Sequence, residues 1–375
     1  MFSNTARMAG PRHRALIQNG ALSLGSLLVG AFILEAALRA LGFPSEEGLA
    51  ARRIHDGRWT TLLDCYPSNP RGYFEIDLRL PENDARYRRL APKRFDAIQR
   101  RHPWAVETRY NALRFRDTPP GPKAKGVTRV VLFGDSFIEG QGVKAGDTTA
   151  FVLQRLLERR APGEFEVRNC GRRGLDFPEL SDAFEAILPL EPEVLVYGLV
   201  LNDALRPPEF QARQSYLHDW ILDREHLPDD EEGPPTLWRP FLLDLVRGRV
   251  KAWRVGRETT RWYLEMWSDA NPGWRETQAR LLEMDRQLKS RGGRLVVAPW
   301  PLLVGLEESY PFEAVHETIR RFCLARGLAY HDLLAAFRGR RTADFWVHPV
   351  DHHPNERAHL VAASSLEPAI APFSR

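Results

Sequence analysis

The sequence predicts an α/β domain built on a parallel sheet covered by helices on both faces, preceded by one membrane-length helix and interrupted by a helical insertion. One observation predicts the domain. From Thr128 onward short apolar runs alternate with stretches of helical spacing, and such alternation implies parallel strands joined by crossover helices. A second observation predicts the leading helix, because Ala15 to Leu34 contains no charged residue.

At 375 residues the chain can bury one large core or two modest ones. Hydrophobic content of 43% and charged content of 27% are ordinary for a globular protein. The net charge of +4 comes from arginines scattered among acids. No basic stripe is interleaved with aromatics, so no nucleic-acid partner is expected. Cys65, Cys170 and Cys323 share no close spacing, which leaves room for one disulfide at most and for no metal knuckle.

Residues 1–14 form a basic tip, with Arg7, Arg12 and Arg14, and residues 15–41 the anchor. Twenty helical residues rise about 30 Å, one hydrocarbon core. Basic residues before the span and the soluble mass after it place the tip in the cytoplasm and the body outside. Gln18, Asn19, Ser23 and Ser26 weaken the span, and Ala40-Leu41-Gly42 loosely fits a cleavage site. Glu35 and Arg39 lie between the apolar core and that site, so a retained anchor is preferred to a cleaved signal, and both to a soluble cytoplasmic helix.

Residues 42–126, rich in Arg, Pro and Trp, read as a membrane-proximal collar that the Pro119-Pro120-Gly121-Pro122 break ends. The domain, 127–375, begins with an apolar strand from Thr128 to Phe133 and a helix from Thr148 to Arg159. A strand at Phe165 to Asn169, a helix near Pro178 to Leu188 and a strand at Glu193 to Leu201 follow. Residues 205–273 hold an acidic run, Asp229 to Glu232, and five tryptophans. They are too many for a plain loop, so a helical insertion or lid is expected, with the tryptophans forming its core rather than a sugar-stacking surface. A helix from Glu276 to Ser290, a strand from Arg294 to Pro299, a helix from Phe312 to Arg326 and a strand around Leu328 to Asp332 resume the pattern. The last helix should start near Pro354, with proline in its first turn.

Ligands of such sheets sit outside the carboxyl ends of the strands. Ser136, the loop after Asn169 and Asn202 all fall there. Taken singly, each has a plainer reading. Gly134-Asp135-Ser136 resembles a capped strand-to-helix turn, Gly171 and Gly174 resemble loop glycines, and His353 a packed or surface histidine. Their joint order and placement point to a site. His348, Asp351, His352, His353 and His359 contain metal-ligating side chains, but the spacing gives no helical His-x-x-x-His pair and Pro349 and Pro354 break the segment. No metal and no cofactor are expected.

The block from Phe133 to Val143 resembles the first signature of the SGNH hydrolases, the GDSL-type esterases. Asn169 to Gly174, Gly198 to Asp203 and Asp351 to Asn355 resemble the later signatures. Arg109 to Asn111, Arg116-Asp117 and the Leu34 to Arg39 segment resemble single-span exported members. The resemblance implies a three-layer α/β/α, flavodoxin-like domain. It implies Ser136 as nucleophile, His353 as base, and an oxyanion hole from the N–H groups of Ser136 and Gly174 and the Asn202 amide. Asp351 would orient His353. The family's commonest pattern puts that aspartate three residues before the histidine, which is Val350 here, so Asp351 is one position closer. No Gly-x-Ser-x-Gly elbow surrounds Ser136.

The implied function is that of a serine esterase or deacylase on O-acyl, above all O-acetyl, esters of an acylated carbohydrate, anchored in the bacterial inner membrane with its catalytic domain in the periplasm. Two alternatives stand beside it. One is an O-acyltransferase served by a separate membrane acyl-donor protein. The other is a catalytically silent glycan-binding scaffold.

Overall fold

The computed structural model describes residues 11–40, 75–77, 106–119, 121–173, 180, 183–204, 241–348 and 351–373. Five parallel strands make the central sheet: β3 (Thr128–Gly134), β4 (Phe165–Gly171), β5 (Val194–Gly198), β6 (Arg294–Val297) and β7 (Ala329–Tyr330), in the spatial order β4-β3-β5-β6-β7. Counted within the sheet this is 2-1-3-4-5, the doubly wound order whose switch point lies between the first and third strands. Ser136 follows the first of these strands, at that switch point. Upstream, β1 (Glu75–Asp77) and β2 (Val106–Thr108) form a separate parallel pair inside the stretch read from sequence as collar.

Every residue of β3 is buried, as expected for a strand covered on both faces. Arg129 is its one charged residue. Its guanidinium donates to Glu166 at 2.8 Å and to the Leu190 carbonyl at 2.6 Å, and its N–H donates to Glu193. Buried charge is tolerated when it is paired in this way.

In chain order the helices described in full are α1 (Pro11–Ala40), α2 (Ser136–Glu139), α3 (Thr149–Arg160), α4 (Phe241–Met266), α5 (Pro272–Lys289), α6 (Glu313–Arg326), α7 (Leu334–Phe337) and α8 (Glu356–Ile370). Within α1, Gln18–Leu38 is long and apolar enough to cross a membrane, and Leu22, Leu27, Leu28 and Phe32 point away from the protein. Near its end Leu38 is buried, and the Glu35 carboxylate accepts the Leu242 N–H at the start of α4 at 2.8 Å.

The expected insertion is helical where it is described. α4 occupies 241–266, and its far end enters the core through Trp262, Met266 and Trp267. Trp267 Nε1 donates to the Leu201 carbonyl at 2.9 Å. Among the other tryptophans, Trp220 and Trp238 lie outside the described residues. α5 starts four residues earlier than its spacing suggested, because Asn271 caps it by accepting the Gly273 N–H and Pro272 fills its first position.

The last helix also differs from expectation. Pro354 closes a strand, and Asn355 is the cap, its Oδ1 accepting the N–H groups of Arg357 and Ala358. The strand is β9 (Asp351–Pro354), paired antiparallel with β8 (Trp346–His348) in a hairpin that the sequence reading lacked.

Candidate active site

The site is built on a row of glycines. In the sheet register Gly134 lies level with Gly171 on one side and Gly198 on the other, so three adjacent strands end without side chains. The helix α2 sits in the space. A Cβ on Gly171 would stand 2.0 Å from the Glu139 nitrogen, and one on Gly198 would stand 2.2 Å from Ile138 Cδ1. Glycine is required at these positions by close approach. Gly171 is therefore the end of a strand packed under α2, not a loop glycine.

Asp135 starts α2, its carboxylate accepting the Phe137 N–H at 2.9 Å, and Gly140 ends it in the left-handed conformation, φ 80°. Ser136 is the first residue of the helix, where a backbone N–H has no acceptor within the helix itself. Its side chain is met from 217 residues away by His353, whose Nε2 lies 2.9 Å from Ser136 Oγ. Phe137 and Trp300 pack beside the pair, with Phe137 5.6 Å from the His353 ring and 5.7 Å from that of Trp300.

The hairpin carries His353 to this place. Asn355 ties its far side down, donating to the carbonyls of Asp344 and Trp346 at 2.9 and 3.0 Å. Of the neighbouring histidines, His352 is exposed and stacks on Trp346 at 4.0 Å. His359, fully buried in α8, has Nδ1 2.8 Å from Thr149 Oγ1 and accepts the Thr149 N–H. The backbone of Asp351 is in β9, while its side chain lies outside the described residues, as does Gly174.

Asn202 stands in the turn after β5. That turn is folded by Asp203, which accepts the Val200 N–H at 2.8 Å and the Tyr197 hydroxyl at 2.9 Å and is fully buried. The Asn202 amide hydrogen-bonds the Asp135 carboxylate. Burial pushes the Asp135 carboxyl up to about 6, against the opposing effects of the Phe137 N–H, the nearby His353 and Asn202.

Several supporting residues lie outside the set the sequence singled out. Buried Arg116 donates to the carbonyls of Gly140 and Val143 at 2.5 and 2.6 Å. Asp117 accepts the Asn169 N–H at 3.1 Å. The Arg116-Asp117 pair was visible as part of the resemblance to exported proteins, but nothing local announced what it holds.

A recessed hydroxyl in contact with an imidazole, beside an amide donor, is an arrangement for acyl transfer. The family model described as GDSL-like lipase/acylhydrolase matches residues 132–361. The chain belongs to that family. As a GDSL-like acylhydrolase it is an ester-hydrolysing enzyme. Similar solved structures include a protein described as lipolytic and of the G-D-S-L family from Desulfitobacterium hafniense DCB-2, at 13% identity and TM-score 0.39, covering 64% of this chain and 98% of that one. A catalytic mutant of an acetylxylan esterase from Geobacillus stearothermophilus is 13% identical with TM-score 0.41, covering 66% and 96%. The structure of TesA is 12% identical with TM-score 0.40, covering 65% and 99%. No curated protein matches the chain.

Proposed function

We propose that this acylhydrolase is a membrane-anchored serine deacylase that removes O-acyl groups, most simply O-acetyl groups, from an exported or cell-surface glycan. The observation that carries the reading is the 2.9 Å contact between His353 Nε2 and Ser136 Oγ. In the first half-reaction Ser136 Oγ attacks the acyl carbonyl carbon and its proton passes to His353 Nε2. The tetrahedral oxyanion is held by the N–H groups of Ser136 and Gly174 and by the Asn202 amide. Collapse breaks the bond to the alcohol oxygen, which leaves with the proton from His353. Water then attacks acyl-Ser136 by the same route and releases the carboxylic acid.

In this mechanism Asp351 holds His353 in the correct tautomer. The strand β9 supports that assignment, since positions two apart along an extended strand share a face. Asp135 has a different task. By engaging one N–H of Asn202 it leaves the other to point at the substrate.

The location is part of the reading. α1 is kept in the membrane with its N-terminal tip in the cytoplasm, and the catalytic domain faces the periplasm. The Glu35–Leu242 hydrogen bond supports retention, because cleavage at Ala40-Leu41-Gly42 would remove Glu35 and strip the start of α4 of that contact.

A fluorophosphonate probe tests the nucleophile. Labelling of the wild type and none of Ser136→Ala is expected, together with acetate release from an acetylated oligosaccharide. Folded wild type that takes up no probe would remove Ser136 from the mechanism. Acetate release without transfer to an added sugar acceptor separates the deacylase from an acyltransferase.

A further inference from the structure

The same helix that begins with Ser136 ends with a carboxylate that the reaction does not use. Glu139 is fully buried. It accepts the Arg173 N–H at 2.7 Å and the Arg173 Nε–H at 2.6 Å, and its Oε1 lies 2.5 Å from Arg173 Nη2. The Tyr110 hydroxyl, brought in from the segment before the sheet, donates to the same Oε1 at 2.5 Å. Its main chain is engaged as well, since the Asn169 amide reaches the Glu139 carbonyl and the Glu139 nitrogen rests on the bare Cα of Gly171.

We propose that Glu139 is a positioning residue for the reaction. It clamps Arg173, by backbone and guanidinium together, onto the helix that carries Ser136, and so fixes the turn after β4 relative to the nucleophile. The inference deepens the reading above and rests on it, because Gly174, the next residue in sequence, is there assigned an oxyanion donor. A donor that must meet charge only in the transition state is effective when it is held in place beforehand. Arg173 engages both carboxylate oxygens, Oε2 through its backbone N–H and Oε1 through Nε and Nη2, and this grip fixes a geometry that a lysine or a glutamine would not. Tyr110 adds a third element to the clamp.

This account differs from a merely structural role for Glu139 in what it expects of kinetics. Glu139→Gln and Arg173→Lys, made in the full chain, are assayed for kcat and KM on p-nitrophenyl acetate and for thermal midpoint. Impaired positioning lowers kcat at least tenfold, with KM changed less than threefold and Arg173→Lys melting within a few degrees of wild type. Arg173→Lys serves where Glu139→Gln fails to fold, since Arg173 is partly exposed. Glu139→Asp, which keeps the charge, recovers part of kcat. Folded variants whose kcat stays within twofold of wild type would overturn the proposal. So would a kcat loss that merely follows the loss of folded protein. If wild type itself neither labels at Ser136 nor turns over, the parent mechanism has failed instead.

Discussion

Asn202 and Asp135 face each other across the strand ends, and their partnership sets what a single substitution should do. The Asp135 carboxyl keeps Asn202 turned, and the Asn202 amide helps Asp135 remain ionised against the cost of burial. Removing one preorganised oxyanion donor costs about 2.7–4 kcal/mol of transition-state stabilisation. With Asn202 in the proposed oxyanion hole, Asn202→Ala should lose roughly a hundred- to a thousandfold in kcat. KM should stay within a few-fold, as steady-state assays on a soluble ester would show. A second residue-scale expectation concerns His359, which burial, with Arg116 and His353 nearby, pushes down to about 3. A histidine that is neutral when folded and basic when unfolded binds its proton preferentially in the unfolded chain. Its contribution is intact above pH 6.5 and is lost as pH falls from there toward 3, with a slope of about 1.4 kcal/mol per pH unit. Denaturant unfolding at pH 7 and pH 4.5 would show the loss, and His359→Gln should flatten it.

At the scale of elements the decisive feature is the seating of α2 on Gly134, Gly171 and Gly198. Overfilling a tight site typically costs 1–3 kcal/mol, and here the obstruction is backbone or a wedged Ile138 rather than a flexible tip. Gly171→Ala should lower stability by about 2 kcal/mol in denaturant titration and displace Ser136 from His353, so that probe labelling falls more steeply than folded fraction. The strand ends that carry Ser136 and Asn202 could be read in advance because the apolar runs from Val130 to Phe133 and from Val194 to Leu201 give way to Gly134-Asp135-Ser136 and Asn202-Asp203. The five-strand parallel sheet and its helices were legible from the same alternation. The β8–β9 hairpin was not, since its strands are three and four residues long and Pro349 and Pro354 argued for a break. Nor was the glycine row, because each glycine has meaning only once register places it beside the others. Glu139 and Arg116 were hidden for a related reason. Their partners lie 24 to 34 residues away, and no local period records a pairing across that distance.

On the scale of the whole molecule, α4 joins two regions that the sequence separates widely. One end is tied to Glu35 of α1, and the tryptophan that follows its other end holds the carbonyl of Leu201, the residue before Asn202. Between them run 26 helical residues, about 39 Å at the usual rise. On the anchored reading proposed above, such a rod would set a stand-off, holding Ser136 in a layer of fixed height rather than on a loose tether. Adding seven residues within the exposed stretch near Gly256 would lengthen the rod by about 10 Å while nearly keeping its rotational phase. Turnover of a small dissolved ester should be unchanged, whereas deacylation of a polymer held at the membrane should drop. Equal rates on both would mean that the rod is not a gauge. On the proposed reading of an anchored glycan deacylase, a rod that gauges height makes the enzyme select its substrates partly by altitude, and a glycan acyl group just above or below that layer is spared whatever its chemistry.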